Sequence, residues 1–233
     1  LLADMGVVVK KLNSNTYSFK ASNIDQDFIH SEEFIRKSAA LRGSIMIIGP
    51  LLARFGNATV PKPGGDKIGR RRLDTHFNGI MKLGAELIFN EEKQLFSLSA
   101  DRLKGQYILL DEASVTGTAN LLMTAVLADG ETIIYNAACE PYVEQLSRLL
   151  VRMGAKIDGI GSNRLIVKGV TKLSGCLHRM LPDMIEVGSF IGMAAMTGSE
   201  LTIKDVSVEN LGIIPESFRK LGITIEQRND DLY

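Results

Sequence analysis

The sequence predicts an α/β protein made of repeated units of about 70 residues, because three series of glycines recur along it in the same order. The first series follows amphipathic stretches and precedes β-rich runs, at Gly6, Gly84, Gly154 and Gly222. The second series joins a helical stretch to a strand, at Gly56, Gly130 and Gly198. The third belongs to a Leu-x-Gly pattern before an apolar strand, at Leu41–Gly43, Leu103–Gly105 and Leu173–Gly175. One such series arises easily by chance, whereas three in register indicate a repeat.

Each repeated unit contains two helical stretches and several short strands, in a βαβαββ-type order. Such alternation favours layered α/β packing over a helical bundle or a β-sandwich. The glycines of the first series stand directly after helical stretches, where the backbone often needs positive φ. The polar stretch Asn13–Lys37 is predicted to be a surface excursion. Pro182 follows an apolar run and marks the predicted domain boundary, between residues 1–181 and residues 182–233.

The composition is that of a soluble globular protein, with 45% hydrophobic and 23% charged residues. The formal net charge is zero, so no global field favours nucleic acid or an anionic membrane surface. No apolar run reaches the roughly 18 residues that a membrane span needs. Cys139 and Cys176 are too few for a disulfide framework, which favours a reducing, cytoplasmic location.

The most unusual segment is Pro61–His76, with the sequence PKPGGDKIGRRRLDTH. It combines three glycines with five cationic side chains, at Lys62, Lys67, Arg70, Arg71 and Arg72. Glycines let the backbone approach a ligand and let a loop hinge, while arginine offers a planar fork to phosphate or carboxylate. The segment therefore predicts an anion site, with an exposed solvated turn as the alternative. It matches neither the P-loop pattern nor the dinucleotide-binding glycine pattern.

Asp66 lies among these cations and has two interpretations. As a charge-balancing group it would stay ionised, because the neighbouring cations depress its pKa. As a proton donor it would need a pKa raised by desolvation, when the loop closes over an anionic substrate. The residues alone leave both interpretations open.

Arg42 and His76 are two further candidates outside the glycine-rich part of the loop. Arg42 enters the apolar run Ser44–Leu52 and needs a partner there, either a structural carboxylate or a substrate anion. His76 is the one histidine next to the basic loop. None of the three histidines has metal-ligand spacing to other His, Cys or acidic residues, so no metal site is predicted.

The segment Asp111–Asn120 precedes a predicted helix at Leu121–Ala128. Ser114, Thr116 and Thr118 within it are good helix N-caps, and the N–H groups at a helix start attract phosphate. Most such caps are structural, so a ligand role for this segment is the second interpretation.

Five segments resemble UDP-N-acetylglucosamine 1-carboxyvinyltransferases, a family of enolpyruvyl transferases, in the family's own order: Gly49–Gly56, Pro63–His76, Ala113–Ala128, Asn136–Pro141 and Leu181–Phe190. The resemblance covers essentially the whole chain and is most specific in the basic loop. It implies the enolpyruvyl transferase fold, in which each of two lobes is an inside-out α/β barrel of three repeated units. On this basis residues 1–181 form most of the catalytic lobe, and residues 182–233 form the first unit of the second lobe.

The resemblance implies transfer of the enolpyruvyl group of phosphoenolpyruvate to the 3′-hydroxyl of UDP-N-acetylglucosamine, the first committed step of peptidoglycan synthesis. Phosphate is released by addition and elimination through a tetrahedral intermediate, and no cofactor is expected. Asp66 would be the proton donor, while Arg42 and Arg71 would bind phosphoenolpyruvate. The other implied substrate contacts are Arg72, Leu73, Asp74, Thr75, Glu112, Ala113, Ser114 and Val115, with His76 and Asp183 as further candidates.

The chain departs from the family pattern in the basic loop. Most members carry a cysteine where this chain has Asp66, and that cysteine is the residue alkylated by the antibiotic fosfomycin. A carboxylate can donate a proton but is a far poorer nucleophile toward an epoxide, so we expect an active, fosfomycin-insensitive enzyme. Arg72 replaces a common proline and adds charge. The family's Lys–Asn pair near the N-terminus and the acidic base and arginine of its second lobe have no match here, so we expect the 233 residues alone to be inactive.

Three other functions remain as alternatives. An enolpyruvyl transferase for another acceptor, such as shikimate 3-phosphate, would share the fold, and a catalytically inactive nucleotide-sugar-binding module would share the repeat. A nucleic-acid binder is disfavoured because the basic loop is short, lacks interleaved aromatic residues and lies in a neutral chain. The predicted partners are therefore the two substrates and the remainder of the chain's own second lobe, with no nucleic acid and no membrane.

Overall fold

The computed structural model describes residues 1–65 and 72–233 and divides the chain into two compact units, Leu1–Cys176 and Leu177–Tyr233. Helices and strands alternate through the first unit, which confirms the predicted α/β class. The predicted boundary at 181/182 concerns the lobes of the enolpyruvyl transferase fold and stays a prediction, as does the barrel form of the lobe.

The first unit begins with a β-hairpin and short helices and continues with two sheets. Its first elements are β1 (Val8–Asn13), β2 (Thr16–Lys20), α1 (Gln26–Ile29), α2 (Glu32–Ala39), the 3₁₀ helix η1 (Arg42–Ile47), α3 (Ile48–Phe55) and β3 (Asn57–Pro61). Its later elements are α4 (Asp74–Lys82), β4 (Glu86–Asn90), β5 (Leu95–Ser99), β6 (Tyr107–Leu109), α5 (Val115–Ala125), β7 (Glu131–Tyr135), α6 (Pro141–Arg152), β8 (Lys156–Asp158) and β9 (Arg164–Lys168).

The two sheets of the first unit have related topologies. One has the strand order β3-β5-β4 and is antiparallel throughout. The other has the order β6-β7-β9-β8, in which β6 and β7 are parallel and the remaining pairs are antiparallel. In each sheet a strand leads into a helix and then into a hairpin, as β3-α4-β4-β5 and as β7-α6-β8-β9. The repeat predicted from the glycines is therefore visible as a repeated order of elements.

The glycines explain how successive elements join. In the first series φ lies between 87° and 106°, and in the second it lies between 61° and 87°. Side chains with a Cβ rarely adopt this left-handed conformation, which is why glycine stands at or just after most of the helix ends in these series, whereas Gly6 and Gly130 lie in turns. The third series has a different cause at Gly105, where a Cβ would stand 2.3 Å from the carbonyl oxygen of Glu131.

The stretch Asn13–Lys37 was predicted to be a surface excursion, and most of its residues are indeed exposed, although the stretch is not irregular. The stretch contains β2, α1 and most of α2, and two of its apolar side chains enter the core of the first unit. Ile29 is 3% exposed and Phe34 is fully buried.

Helix α5 lies inside the first unit, and its side chains are buried from Gly117 to Leu122. Leu121 and Leu122 have no exposed surface, and the helix packs against α3, α4 and α6. Because such a helix has almost no solvent-facing side, any polar group within it needs a partner inside the protein. This requirement becomes important at Asn120.

The second unit contains α7 (Met184–Thr197), the 3₁₀ helix η2 (Val208–Asn210), α8 (Ile214–Lys220), β10 (Gln227–Arg228) and β11 (Asp231–Leu232). Its small core consists of Val187, Ile191, Val206, Leu211 and Leu232. Helix α7 is apolar on most sides, and Met196 is 90% exposed. The unit therefore leaves much of an apolar helix uncovered.

Candidate functional site

The beginnings of η1, α4 and α5 lie next to one another, and most of the predicted site residues are found there. Arg42 is the first residue of η1, Asp74 is the first of α4, and Val115 is the first of α5. N–H groups at a helix start carry partial positive charge, so adjacent helix starts favour an anionic ligand.

Arg42 is half-buried and lies at both ends of the arginine-rich loop. A Cβ on Gly65 would stand 3.2 Å from the Cβ of Arg42, and the Gly64 N–H donates to the Ala39 carbonyl at 2.8 Å. On the other side, Nη2 of Arg42 donates to the backbone carbonyl of Arg72 at 3.5 Å. The residues on the two sides of the loop, Gly65 and Arg72, therefore both lie beside this arginine.

Glycine is required where the loop begins. A Cβ on Gly64 would stand only 2.2 Å from the carbonyl oxygen of Ala39, and Gly65 has a φ of 91°. Both residues therefore let the backbone lie directly against the end of α2 and against Arg42. These glycines were predicted to let the backbone approach a ligand closely. In the structure, the close approach is to the protein itself, at Ala39 and Arg42.

Asp111 connects the end of the loop to the segment that precedes α5. Its Oδ1 accepts from Oγ1 of Thr75 at 2.8 Å, and its Oδ2 accepts from Nη2 of Arg72 at 3.4 Å. Nε of Arg72 also donates to Oδ2 of Asp74 at 2.7 Å. Arg72 is about half exposed, so these ion pairs contribute little stability. Their effect is to fix where the guanidinium lies.

Helix α5 begins at Val115, six positions before the predicted start at Leu121, so that prediction is wrong. Ser114 is the N-cap, and its Oγ accepts from the Gly117 N–H at 3.1 Å. A Cβ on Gly117 would stand 3.0 Å from Cγ2 of Thr75, so the starts of α4 and α5 pack closely. The segment Glu112–Val115 thus lies at a helix start beside the loop, as the anion-site interpretation requires.

His76 and Asn120 form a buried hydrogen-bonded network behind these helix starts. Nε2 of His76 lies 3.2 Å from Oγ1 of Thr116, and Nδ1 lies 3.1 Å from Nδ2 of Asn120. Nδ2 of Asn120 also donates to the Ile45 carbonyl at 2.8 Å, and its Oδ1 accepts from the Gly49 N–H at 2.8 Å. His76 is 2% exposed and Asn120 has no exposed surface.

The pKa of His76 is lowered to about 4, first by burial and second by the positive charge of Arg42. The imidazole is therefore neutral in the folded protein at neutral pH. In the unfolded chain its pKa would be near 6.5. Between about pH 6.5 and pH 4, His76 is protonated in the unfolded chain but neutral in the folded chain. Falling pH therefore favours unfolding over this range.

This pKa difference predicts a pH dependence of the free energy of unfolding. The slope from one such histidine is about 1.4 kcal/mol per pH unit, so about 2 kcal/mol should be lost between about pH 6.5 and pH 5. Urea unfolding of the chain and of His76→Asn, followed by circular dichroism at several pH values, measures the difference. The free energy of unfolding of the unaltered chain should fall toward that of His76→Asn as the pH falls. All other titrating groups are the same in the two proteins, so the difference between them reports on His76. Parallel pH profiles would contradict the assignment.

A cleft of about 420 Å³ opens beside the cluster of helix starts, within the size range of ligand sites. It is lined by Thr75, Asn78, Gly79, Met81, Lys82, Ile108, Leu109, Leu110 and Asp111. Thr75 and Asp111 belong both to this cleft and to the contacts described above. The cleft therefore provides room for a ligand next to the predicted anion site.

The structure brings together Arg42, the segment Arg72–His76 and the segment Glu112–Val115. Asp66 and Arg71 lie outside the described residues. Asp183 belongs to the second unit, where it is the N-cap of α7 and accepts from the Ile185 N–H at 2.9 Å. Sequence reasoning did not identify the network of Asn120. The available signal was a single amide side chain within a helix that carries no charged residue.

Other kinds of site are less well supported. In residues 1–65 and 72–233, no group of three or more His, Cys, Asp or Glu side chains is arranged to hold a metal ion. Across the same residues, no helix has both the length and the apolar character to cross a membrane. Cys139 and Cys176 are exposed free thiols.

The sequence profile of the family described as EPSP synthase (3-phosphoshikimate 1-carboxyvinyltransferase) matches residues 1–233. Several similar proteins are named UDP-N-acetylglucosamine 1-carboxyvinyltransferase. The one from Bacteroides thetaiotaomicron is 65% identical over the whole chain, which spans 54% of that protein. The one from Porphyromonas gingivalis is 64% identical with the same coverage. The one from Treponema denticola is 48% identical over 94% of the chain and 50% of that protein. The chain thus spans about half the length of the curated relatives it matches.

Solved structures agree at the level of the fold. The enolpyruvyl transferase NikO from Streptomyces tendae has a TM-score of 0.78 at 18% identity, covering 99% of this chain and 55% of that one. An EPSP synthase from Acinetobacter baumannii has a TM-score of 0.67 at 19% identity, covering 99% and 54%. At these identities the likeness shows the fold alone, but it agrees with the profile match over the whole chain. The chain therefore belongs to the EPSP synthase family.

Proposed function

We propose that a protein containing this chain transfers the enolpyruvyl group of phosphoenolpyruvate to the 3′-hydroxyl of UDP-N-acetylglucosamine and releases phosphate. The acceptor hydroxyl loses its proton and adds to the enol carbon while the neighbouring methylene carbon takes a proton and becomes a methyl group. Loss of phosphate together with a proton from that methyl group then restores the double bond. The shared name of relatives at 64–65% identity supports this acceptor over shikimate 3-phosphate.

The observation that carries the proposal is that both ends of the arginine-rich loop lie at Arg42, beside the starts of α4 and α5. Both substrates are anions, and one of them must lose phosphate. Cations and backbone N–H groups that are already in place stabilise the charge that develops there. An arginine-rich loop that begins and ends at such a place suits this task.

The predicted residues of the loop and of the helix starts have separate roles in the proposal. Arg42 and Arg71 bind the carboxylate and phosphate of phosphoenolpyruvate, because guanidinium groups can contact two anion oxygens at once. The segment Arg71–Thr75 holds the nucleotide, much of it through backbone groups, and Glu112–Val115 faces the diphosphate side. Asp66 donates the proton to the methylene carbon.

The second unit and the cell compartment complete the proposal. Asp183, at the start of α7, contacts substrate in a protein of the relatives' length. The part of that protein outside the matched half covers the apolar side chains of α7, including Met196, which is 90% exposed here. UDP-N-acetylglucosamine and phosphoenolpyruvate are soluble cytoplasmic metabolites, so the protein acts in the cytoplasm.

The proposal is tested with a chimera in which this chain replaces the matching half of the Bacteroides thetaiotaomicron relative. The chimera should release phosphate from phosphoenolpyruvate only when UDP-N-acetylglucosamine is present, while the isolated chain should not turn over. Arg42→Ala should lower kcat/KM for phosphoenolpyruvate by on the order of 100- to 1000-fold, because it removes a cation from the transition state. Phosphate release is followed continuously.

Arg36→Ala is the matched control, because Arg36 is an exposed arginine on the neighbouring helix α2. It should leave kcat/KM unchanged. Turnover with shikimate 3-phosphate instead would assign the other acceptor. If the chimera bound UDP-N-acetylglucosamine but showed no turnover, the result would support the alternative function, a catalytically inactive nucleotide-sugar-binding module.

A further inference from the structure

The orientation of the Asn120 side chain follows from its partners. The Gly49 N–H can only donate and the Ile45 carbonyl can only accept, so Oδ1 faces Gly49 and Nδ2 faces Ile45. The second hydrogen of Nδ2 then points at Nδ1 of His76. Nδ1 must therefore accept, which leaves the hydrogen of the neutral imidazole on Nε2, where it is donated to Oγ1 of Thr116.

A second proton on His76 would break this arrangement. Protonated Nδ1 would place its hydrogen against the NH₂ group of Asn120, donor against donor. The imidazolium would also lie near the positive charge of Arg42, which already acts against protonation. Because Asn120 and His76 are both buried, neither could turn to water for a replacement partner.

The amide of Asn120 holds the join between two helical segments. Ile45 lies in η1, and Gly49 lies in the first turn of α3. Arg42 begins η1, so only one 3₁₀ turn of about three residues separates it from the Ile45 carbonyl. A shift of that carbonyl is therefore passed directly to Arg42. The opposite side of Arg42 is bounded by Gly65.

We propose that Asn120 and His76 are positioning residues for Arg42. The neutral imidazole orients the Asn120 amide, and the amide fixes the turn of η1 that places the guanidinium at the anion site. This inference rests on the proposed function, since it assigns Arg42 to phosphoenolpyruvate. Both side chains are buried, so this inference gives His76 an indirect role in place of the substrate contact that the sequence analysis considered for it. Substitution of either residue should therefore affect phosphoenolpyruvate more than the nucleotide sugar.

The first experiment reads the tautomer in the isolated chain. Imidazole nitrogen shifts from ¹⁵N NMR should show His76 neutral, with the hydrogen on Nε2, between about pH 5 and pH 8. The spectrum of His76→Asn identifies the signal among the three histidines. Asn120→Asp replaces the NH₂ donor by an acceptor and should make His76 protonated near pH 7. A hydrogen on Nδ1 in the unaltered chain would overturn the inference, and this result does not depend on any enzymatic activity.

The second experiment uses the chimera and separates positioning from general structure. Asn120→Asp should lower kcat by on the order of 10- to 100-fold and raise KM for phosphoenolpyruvate, while KM for UDP-N-acetylglucosamine changes by less than about threefold. His76→Asn, whose side-chain oxygen can stand in for Nδ1, should retain more activity than His76→Phe. Such rescue would not follow from a merely structural role.

Thr118→Val is the matched control. Thr118 is fully buried on the same helix, and its Oγ1 accepts from the Ala138 N–H at 3.0 Å, away from Arg42. The Thr118→Val variant should be destabilised about as much as Asn120→Asp, but its KM for phosphoenolpyruvate should not change selectively. Equal changes for both substrates, or the same pattern in Thr118→Val, would overturn the inference. If the chimera without substitutions were inactive, the proposed function would be refuted. The inference would then fail too, because it depends on the assignment of Arg42 to phosphoenolpyruvate.

Discussion

Asp66→Cys in the chimera is expected to convert an enzyme that fosfomycin does not inactivate into one that it inactivates rapidly. A thiolate attacks an epoxide carbon, the carbon–oxygen bond of the ring opens, and a thioether remains on the protein. A carboxylate is a far weaker nucleophile in the same place, so the inactivation rate should rise by on the order of a thousandfold. Residual activity after timed exposure gives the rate, and mass spectrometry locates the adduct.

Asp66→Asn is the companion variant, because an amide has the shape of the carboxylic acid but no acidic proton to transfer. Its kcat should fall by about 100- to 10,000-fold if Asp66 is the proton donor. Asp66→Cys should retain activity, since a thiol can also donate a proton. An unaltered chimera that fosfomycin inactivates through an adduct on Asp66 would refute the prediction.

The parts of the fold that could be predicted are those set by neighbouring residues. Gly84 and Gly154 follow amphipathic helices, and each has the left-handed backbone expected of a residue after a helix end. Ser114 was one of three predicted N-cap residues, with Thr116 and Thr118, and it is the one whose side chain caps α5, accepting from a backbone N–H three residues away. Local spacing was sufficient in these cases.

The beginning of α5 could not be predicted, because tertiary packing overrides local propensity there. Thr116, Gly117 and Thr118 are weak helix formers, so the sequence indicated a loop before the apolar run. Burial against neighbouring helices makes the segment helical nonetheless, and Gly117 allows Thr75 to pack against it. Only the three-dimensional structure contains that information.

The network behind the candidate site was hidden for a similar reason. Asn120 is 71 positions from Gly49 and 75 from Ile45. No local pattern specifies such contacts. The loop composition predicted an anion site, but the cation Arg72 also pairs with Asp111, 39 positions away. Charge composition therefore predicts an anion site in this part of the chain, but it does not predict which partner each arginine has.

Gly49→Ala is expected to destabilise the chain by about 3 kcal/mol. A Cβ at this position would stand 2.5 Å from the carbonyl oxygen of Asn120 and 2.6 Å from both Oδ1 of Asn120 and Oγ1 of Thr124. Forcing atoms into a packed core costs about 1–3 kcal/mol, and disturbing the buried bonds of Asn120 adds a similar amount. The gain from alanine in a helix is only about 0.5–1 kcal/mol, so the clash decides the sign.

Gly43→Ala separates this clash from the general effect of replacing a glycine near Arg42. A Cβ on Gly43 would have no atom within 4 Å, so its free energy of unfolding should change by less than about 1 kcal/mol. Urea unfolding of both variants provides the comparison. If Gly49→Ala were as stable as Gly43→Ala, α3 and α5 could move apart to accommodate the new methyl group without any loss of free energy of unfolding. Asn120 could not then hold the turn that carries Arg42, because its two backbone partners would no longer be fixed at 2.8 Å.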